Sequence, residues 1–420
     1  MNYFPRGTFA SGFLSKFRGI PIFLFVLAVV FCPQAGAQNL SYKYKAGDKY
    51  RILSTVNQDI YVNRKLGYRA EIVNRISMEV KETAGTGARL TATFQSAEKT
   101  VAAGAASDRS TPDLFQWAKD YNSEFYQDRL GYITIDDQYY MPMVRNVPVF
   151  PERDLRPGDI WSADGVEVHD FRDSYGIEKP YQIPFRANYT FLGNRTWKGK
   201  NYPAFSVSYR IFYEPPAVPG KIFPRRILGA SDQIVYWDMD HGQAAAYEED
   251  FRMVIDLSDG QTWDYQGKAS AEVVEAPPMD KEQIAREIAE EIKNVEDTSV
   301  RISDEGIVIS LENIQFEPDS SVMLPGEFSK LDKIAEILMR YPERDILVGG
   351  HTALARTAEG RMQLSLERAG VVADYLIAKK VRTPERVVIR GYGAEQPIAD
   401  NNTPQGMQRN RRVEIIILEN

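Results

Sequence analysis

The segments PFRANYTF (residues 184–191) and FSVSYRIFY (205–213) decide the fold of the first two thirds of this chain. In the first, Phe185, Ala187, Tyr189 and Phe191 alternate with Arg186, Asn188 and Thr190. In the second, Phe205, Val207, Tyr209, Ile211 and Tyr213 keep the same beat. A period of two sends successive side chains to opposite faces of a strand. Each run therefore predicts a strand with one dry face and one wet face, the pattern of antiparallel pairing. Further out, Ile76, Met78 and Val80 are expected to meet Leu90, Ala92 and Phe94 across the Gly-containing turn TAGTG (83–87). From Gln38 to about Val274 this rhythm predicts an antiparallel β-rich domain, a sandwich or a curled sheet.

One segment departs from it. STPDLFQWAKDYNSEFYQ (110–127) offers Thr111 as an N-cap and Pro112 at the first helical position, with Leu114, Phe115, Ala118, Tyr121 and Phe125 at helical spacing. It predicts an amphipathic helix. A transmembrane barrel shows the same strand alternation. The helix, and charged Pro-rich connections such as VPVFPERDLRPGDIW (147–161), favour a soluble sheet over that alternative.

Three features resemble chemical sites and are better read as turns or scattered residues. WDMDHGQ (237–243) carries Asp238, Asp240 and Gly242 of a calcium loop but lacks its remaining ligands, including the bidentate Glu. Flanked by QIVYW and AAAYEEDF, it predicts a hairpin turn. Pro157-Gly158-Asp159 before Trp161 reads as a turn into a strand. His169, His241 and His351 are far apart and form no metal-ligand spacing. No nucleophile-plus-base pair stands out, and a wall hydrolase would need paired carboxylates or a metal. The expectation is a protein with no catalytic residue, no cofactor and no metal, hence no enzyme.

At 420 residues the chain has room for two or three cores. Its 43% hydrophobic and 26% charged residues are ordinary globular values, and a net charge of −7 supplies no basic stripe for nucleic acid. The N-terminus reads as a signal peptide, residues 1–37. Lys16 and Arg18 precede an apolar run from Ile22 to Phe31, and Ala35-Gly36-Ala37 is a cleavage site that makes Gln38 the first mature residue. The single cysteine, Cys32, lies inside this segment; a competing reading makes it the lipidated first residue of a lipoprotein. Either way the chain is expected to be exported.

Pro277-Pro278 halts the β region. MDKEQIAREIAEEIKNVED (279–297) then predicts an acidic helix with Ile284, Ile288, Ile292 and Val295 along one side, a linker over residues 276–299. Beyond residue 300 strands alternate with helices. GIVISLENIQF is a strand or strand pair, and Pro325 opens a helix burying Phe328, Leu331, Ile334 and Leu338. Ile346 to Val348 is a central-type strand, Leu364 to Lys380 a helix, and RVVIRGYG and RRVEIIIL are further strands. This predicts an α/β sandwich with helices on one face of a mixed sheet, and an α+β chain as a whole.

The segments IQFEPDSSVMLPGE, VGGHT, LSLERAGVVADYLIAKKV and RVVIRGYGAEQPIADNNTPQGMQRNRRVEI make residues 300–420 resemble the OmpA-like peptidoglycan-binding domain. The resemblance covers a little over a quarter of the chain and leaves residues 38–275 without assignment. It implies a zwitterionic ligand, the diamino acid of the peptidoglycan stem peptide. In the family a G-H-T-D loop places an Asp against the ligand's ammonium, and the Arg of L-S-x-x-R-A takes its carboxylate. Here Leu364, Ser365, Arg368 and Ala369 keep the second element, Gly350, His351 and Thr352 keep the loop, and Asn410, Arg411 and Arg412 keep the basic corner. Ala353 stands where the Asp belongs, and Arg361 replaces an Asn three residues before the L-S pair. Arg368, Thr352, Asn410 and Arg412 are thus the candidate ligand-binding residues, while Ala353 and Arg361 are the altered positions. Glu359, on the same loop, is a substitute carboxylate to consider.

The resemblance implies a non-enzymatic protein of the periplasm or outer membrane, its partners the peptidoglycan stem peptide, gripped weakly or not at all, and other envelope proteins. The alternative is an outer-membrane β-barrel with a wall-anchoring tail.

Overall fold

The computed structural model describes residues 37–103, 114–274, 279–317, 320–354 and 357–419. The expected signal peptide with Cys32, the Thr111–Pro112 cap and Pro277-Pro278 lie outside the described residues, apart from Ala37 of the cleavage site. The strands are β1 (Lys49–Val62), β2 (Lys65–Ala84), β3 (Gly87–Ala102), β4 (Phe115–Asp128), β5 (Ile133–Ile135), β6 (Val144–Arg145) and β7 (Ile160–His169). After the short helix α1 (Arg172–Tyr175) follow β8 (Tyr181–Trp197), β9 (Lys200–Tyr213), β10 (Pro224–Asp238), β11 (Gln243–Leu257) and β12 (Thr262–Val274). The last third contains α2 (Lys281–Ile292), β13 (Thr298–Ile302), β14 (Gly306–Glu312), α3 (Phe328–Leu338), β15 (Ile346–Gly350), α4 (Ala358–Ala378), β16 (Val387–Gly391), α5 (Pro404–Asn410) and β17 (Arg412–Leu418).

The chain is α+β. In the first part antiparallel pairing runs β5-β4-β3-β2-β1-β12-β11-β10-β9-β8-β7-β6. The expected pairs are in register, Ile76 opposite Phe94, Met78 opposite Ala92 and Val80 opposite Leu90. Phe185, Ala187, Tyr189 and Phe191 are buried, as are Phe205, Val207, Tyr209 and Ile211, and they pack with Trp237 and Phe150 into an aromatic core. Asp238 and Gln243 close the β10–β11 hairpin. There the Asp238 carboxylate accepts from the Asp240 amide at 2.8 Å, so it serves the turn.

Residues 110–127 are a correction. The expected helix is the strand β4 from Phe115 onward, antiparallel to β3. Ser123, Phe125 and Gln127 are buried while Asn122 and Glu124 are exposed, a period of two. The 3.6-residue pattern read from Leu114, Phe115, Ala118, Tyr121 and Phe125 coexists with it, and the neighbouring edge decides between them, since sheet context overrides local preference. The case against a membrane barrel that leaned on this helix falls with it. The strands supply another. The aromatic core lies on one face of the curled sheet, whereas the other bears Arg210–Asp232, Lys268–Asp250 and Arg252–Asp264 ion pairs where a membrane barrel carries its lipid-facing apolar band.

The C-terminal sheet has the order β13-β14-β17-β15-β16, with β15 and β16 parallel and the remaining pairs antiparallel. Helices cover one face. Leu331, Ile334 and Leu338 of α3 and Val372, Ala373 and Leu376 of α4 meet Ile307, Ile309, Val348, Ile389, Ile415 and Ile417. Helix α2, capped by Asp280 accepting from Gln283 N, puts Ile288 and Ile292 into the same core. The apolar side of the acidic helix is thus part of this layer.

The opposite face is covered by the β-rich half. Val308, Leu347, Val388, Ile416 and Leu418 pack against Val73, Ala97 and Phe115. Strand β16 pairs in parallel with β4, Val388 beside Phe115 and Ile389 beside Gln116. At one end of this seam Asp345, 1% exposed, receives Arg75 and Arg386 at 2.8 Å each and Arg51 at 3.8 Å. Burial pushes the Asp345 carboxyl up, and the guanidiniums of Arg75 and Arg51 outweigh it, leaving the group below the usual carboxylate range.

Candidate functional site

The C-terminal ends of β15 and β16 lie directly beneath the first turns of α4, and two glycines make that possible. A Cβ on Gly350 would stand 1.9 Å from the Ser365 carbonyl oxygen, and one on Gly391 would stand 2.7 Å from the Met362 carbonyl oxygen. Ser365 is fully buried. Its hydroxyl accepts from Gly393 N at 2.9 Å and donates to the Met362 carbonyl at 2.8 Å, fastening α4 to the loop after β16.

That fastening positions the loop after β15. The amide of Thr352 donates to the Gly393 carbonyl at 2.7 Å, and His351 N donates to the Arg412 carbonyl at 3.0 Å. The His351 ring stacks on Tyr392, centroids 4.7 Å apart and planes 8° from parallel, with Nε2 3.7 Å from Glu414. Burial lowers the His351 pKa and outweighs the opposing pull of Glu414, so this imidazole is neutral near pH 7. It orders the loop. Thr352 and Ala353 are buried, at 7% and 6% exposure, and Leu354 points outward at 58%. The Ala353 methyl thus fills an inward position.

The basic corner divides in two. Asn410 is fully buried, accepting from the amides of Ile398 and Ala399 and donating to the Ala399 carbonyl and to Asn401 Oδ1. Asn401 Oδ1 in turn accepts from Leu354 N at 3.2 Å. Asn410 therefore supports the wall that supports the Ala353 loop. Arg412, 2% exposed, donates Nε to Glu414 at 2.8 Å and Nη2 to the Gln396 carbonyl at 3.1 Å. Burial pushes the Glu414 carboxyl up, but the neighbouring His351 ring and the guanidinium of Arg412, hydrogen-bonded to it at 2.8 Å, hold it down at about 2.

Arg361 and Arg368 are seven residues apart on α4, two turns, and so share one side of the helix. A Cβ on Gly393 would stand 3.6 Å from Arg361 Cβ, so Arg361 rises beside the loop that holds Thr352. Arg368 lies 4.7 Å over the Phe316 ring and donates Nε to the Ser320 carbonyl at 3.1 Å. Phe316 and Met323 pair across the base of that loop. Phe316 and Asn401 were not singled out in the sequence. Phe316 had a signal, an aromatic inside a matching segment; Asn401 had none, because its role depends on a turn that only the fold creates. Glu359 is exposed in the first turn of α4. Among the described residues no group of three or more His, Cys, Asp or Glu is placed to hold a metal ion.

Residues 315–411 match the OmpA family model. The peptidoglycan-binding protein ArfA of Mycobacterium tuberculosis is 35% identical over 104 residues, 25% of this chain and 32% of that protein. The peptidoglycan-associated lipoprotein of Pseudomonas aeruginosa is 34% identical over 114 residues, 27% of this chain and 67% of that protein. Among solved structures, an outer membrane protein of Borrelia burgdorferi is 33% identical with a TM-score of 0.25, covering 29% of this chain and 97% of that one. The chain spans about a third of the length of the first curated relatives it matches, 32%.

Proposed function

Because this chain belongs to the OmpA family through its C-terminal domain, we propose that it is an exported, non-enzymatic envelope protein of the periplasm whose C-terminal domain faces peptidoglycan with a weakened grip on the stem-peptide diamino acid. The observation that carries this reading is Ala353, buried in an otherwise ordered family loop. Arg368 is the carboxylate-binding group, stacked on Phe316. Thr352, Asn410 and Asn401 hold the loop; Arg412, tied to Glu414, acts as its buried support. A ligand ammonium entering here meets a methyl group, with Arg361 nearby as a like charge. Losing one charged partner of a buried pair costs on the order of 2–5 kcal/mol, or roughly 30- to 4,000-fold in affinity. The leader over residues 1–37 directs export and is removed after Ala37, leaving residues 38–275, the α2 segment and residues 300–420.

Ala353→Asp restores the missing carboxylate, and adding Arg361→Asn removes the like charge. Titration calorimetry of a soluble diaminopimelate stem peptide into the mature chain should show a gain of about 1–3 kcal/mol for the first variant and a further gain for the pair. Wild type binding as tightly as the double variant would show that the site does not depend on this Asp. N-terminal sequencing of the exported protein should begin at Gln38; a lipid-bearing start at Cys32 would replace cleavage by anchoring.

A further inference from the structure

On the charged face of the β-rich half, two rows of side chains cross five adjacent strands. One row is Ser208, Asp232, Asp250, Lys268 and Asn57, each opposite the next. The other is Ser206, Ile234, Glu248, Ser270 and Thr55. Five of these ten residues are Ser, Thr or Asn, and larger side chains stand in the rows on either side. Arg210 and Arg252 rise along one flank. Along the other stand Tyr236, with Trp197 packed on it at 5.0 Å, and the Lys198–Glu272 pair. Between them runs a trough of about 650 Å³. Five strands at about 4.8 Å spacing make it roughly 19 Å long, perpendicular to the strands. At its β1 end Thr55 lies opposite Val73, which packs into the seam beneath the C-terminal domain.

We propose that this trough is a second ligand site, taking a neutral, extended polysaccharide laid across the strands. Its chemistry selects that class. The hydroxyls of Ser206, Ser208, Ser270 and Thr55 and the amide of Asn57 offer closely spaced donors and acceptors on rigid strands, and among the described residues no hydrogen bond from another protein group occupies them. Tyr236 donates to Glu248 Oε2 at 3.1 Å, which joins the aromatic flank to the polar floor. Asp232 pairs with Arg210 and Asp250 with Lys268, so Glu248 sets the sign of the floor and the field disfavours polyanions. An added peptide strand is disfavoured, because β9 to β1 are already paired laterally and the trough crosses their axes. Choosing a wall glycan as the natural occupant rests on the function proposed above; the trough and its polyol chemistry do not. A polymer held here would pass the C-terminal domain, so two weak contacts on one wall would act as a bivalent grip.

The test is titration calorimetry of the mature chain, residues 38–420, with a β-1,4-linked N-acetylglucosamine tetramer, which contains no stem peptide. Binding is expected, with no binding of an equally long polygalacturonate. Ser270 is exposed, so Ser270→Trp should fill the floor without disturbing the core and weaken the tetramer at least tenfold. Arg368→Ala should leave it unchanged. Glu248→Gln keeps the shape and should weaken binding several-fold, which decides the matter if the tryptophan variant melts early. Absence of tetramer binding, equal binding by both trough variants, or preference for a lysine-rich peptide that Ser270→Trp abolishes would each overturn the proposal. Failure of the stem-peptide titration leaves this result untouched, and the reverse also holds.

Discussion

Ile415 and Ile416 are adjacent on β17, and both are buried, yet they end in different company. Ile415 lies among residues of α2, α3 and α4, a layer drawn from the same third of the chain. Ile416 lies against Val73, Ala97 and Phe115, contributed by strands more than 300 positions away in sequence. The helix side is an ordinary apolar layer. The seam side mixes an apolar strip with an ionic knot, Asp345 with Arg51, Arg75 and Arg386, and with the buried Arg412–Glu414 pair nearer the candidate site. An apolar layer tolerates small losses because what remains still excludes water. An ionic knot fails abruptly when one partner is removed, since the survivors remain buried and charged.

The largest effect should therefore come from Asp345→Ala, which leaves three guanidiniums without their common carboxylate. A loss of about 3–5 kcal/mol is expected in urea denaturation of the mature chain. A loss below about 1 kcal/mol would mean the knot is wet and the contrast between the faces is false.

Next come Ile415→Ala and Ile416→Ala, each expected to cost about 2–5 kcal/mol through lost burial and the cavity left behind. Limited proteolysis separates them. Ile416→Ala loosens the docking of the halves, so cleavage between residues 274 and 299 should accelerate while the C-terminal fragment persists. Ile415→Ala should destroy the fragment itself. Identical digestion patterns would erase the distinction between the two layers.

A smaller effect is expected with acid. Both Asp345 and Glu414 have folded-state pKa values depressed below those of unfolded chains, near 3.9 and 4.3. Their contribution is present above those unfolded values and is lost as pH falls through the folded ones, which for Glu414 is about 2. Stability should decline from about pH 4 toward 2, and Glu414→Gln should flatten part of that decline. An unchanged slope would mean the seam's charges are not coupled to folding.

Much of this was legible in the sequence. The helix layer followed from Phe328, Leu331, Ile334 and Leu338 at helical spacing, and the antiparallel half from alternation around Phe185 and Phe205. The seam left a mark that periodicity alone could not decode. ILVGG and the IIIL end of RVEIIIL are apolar without alternation, and every residue of β15 and β17 is buried. Strands of that kind need cover on both faces, but helices could have supplied both. Nothing in the spacing of Arg51, Arg75 and Asp345 says that they meet. Residues 110–127 misled for a related reason, because Phe115 answers to β16 and β3, partners that no local window contains. At the candidate site Ala353 drew notice through one motif, whereas the supporting chain from Asn410 through Asn401 to Leu354 left no mark in the sequence.

The smallest predicted effect concerns the helix layer where it meets that site. Thr357 caps α4, its hydroxyl accepting from Gly360 N at 3.1 Å, and the helix then carries Arg361 and Arg368 along one side. Thr357→Ala removes one capping bond at an exposed position, a loss typically of about 1 kcal/mol. The helix keeps its hold through Ser365 on Gly393 and through Val372, Ala373 and Leu376 in the core, so only its first turn should fray. Hydrogen exchange should quicken at the amides of residues 358–361 and stay unchanged along β15 and β17. Binding of the stem peptide should shift less than it does for Ala353→Asp, because Arg368 lies two turns beyond the frayed end. If exchange instead quickens at Leu347 and Ile416, the cap of α4 is felt across the sheet. The helix layer and the ionic seam would then form one cooperative unit, and the contrast drawn between Ile415 and Ile416 would describe only where side chains lie.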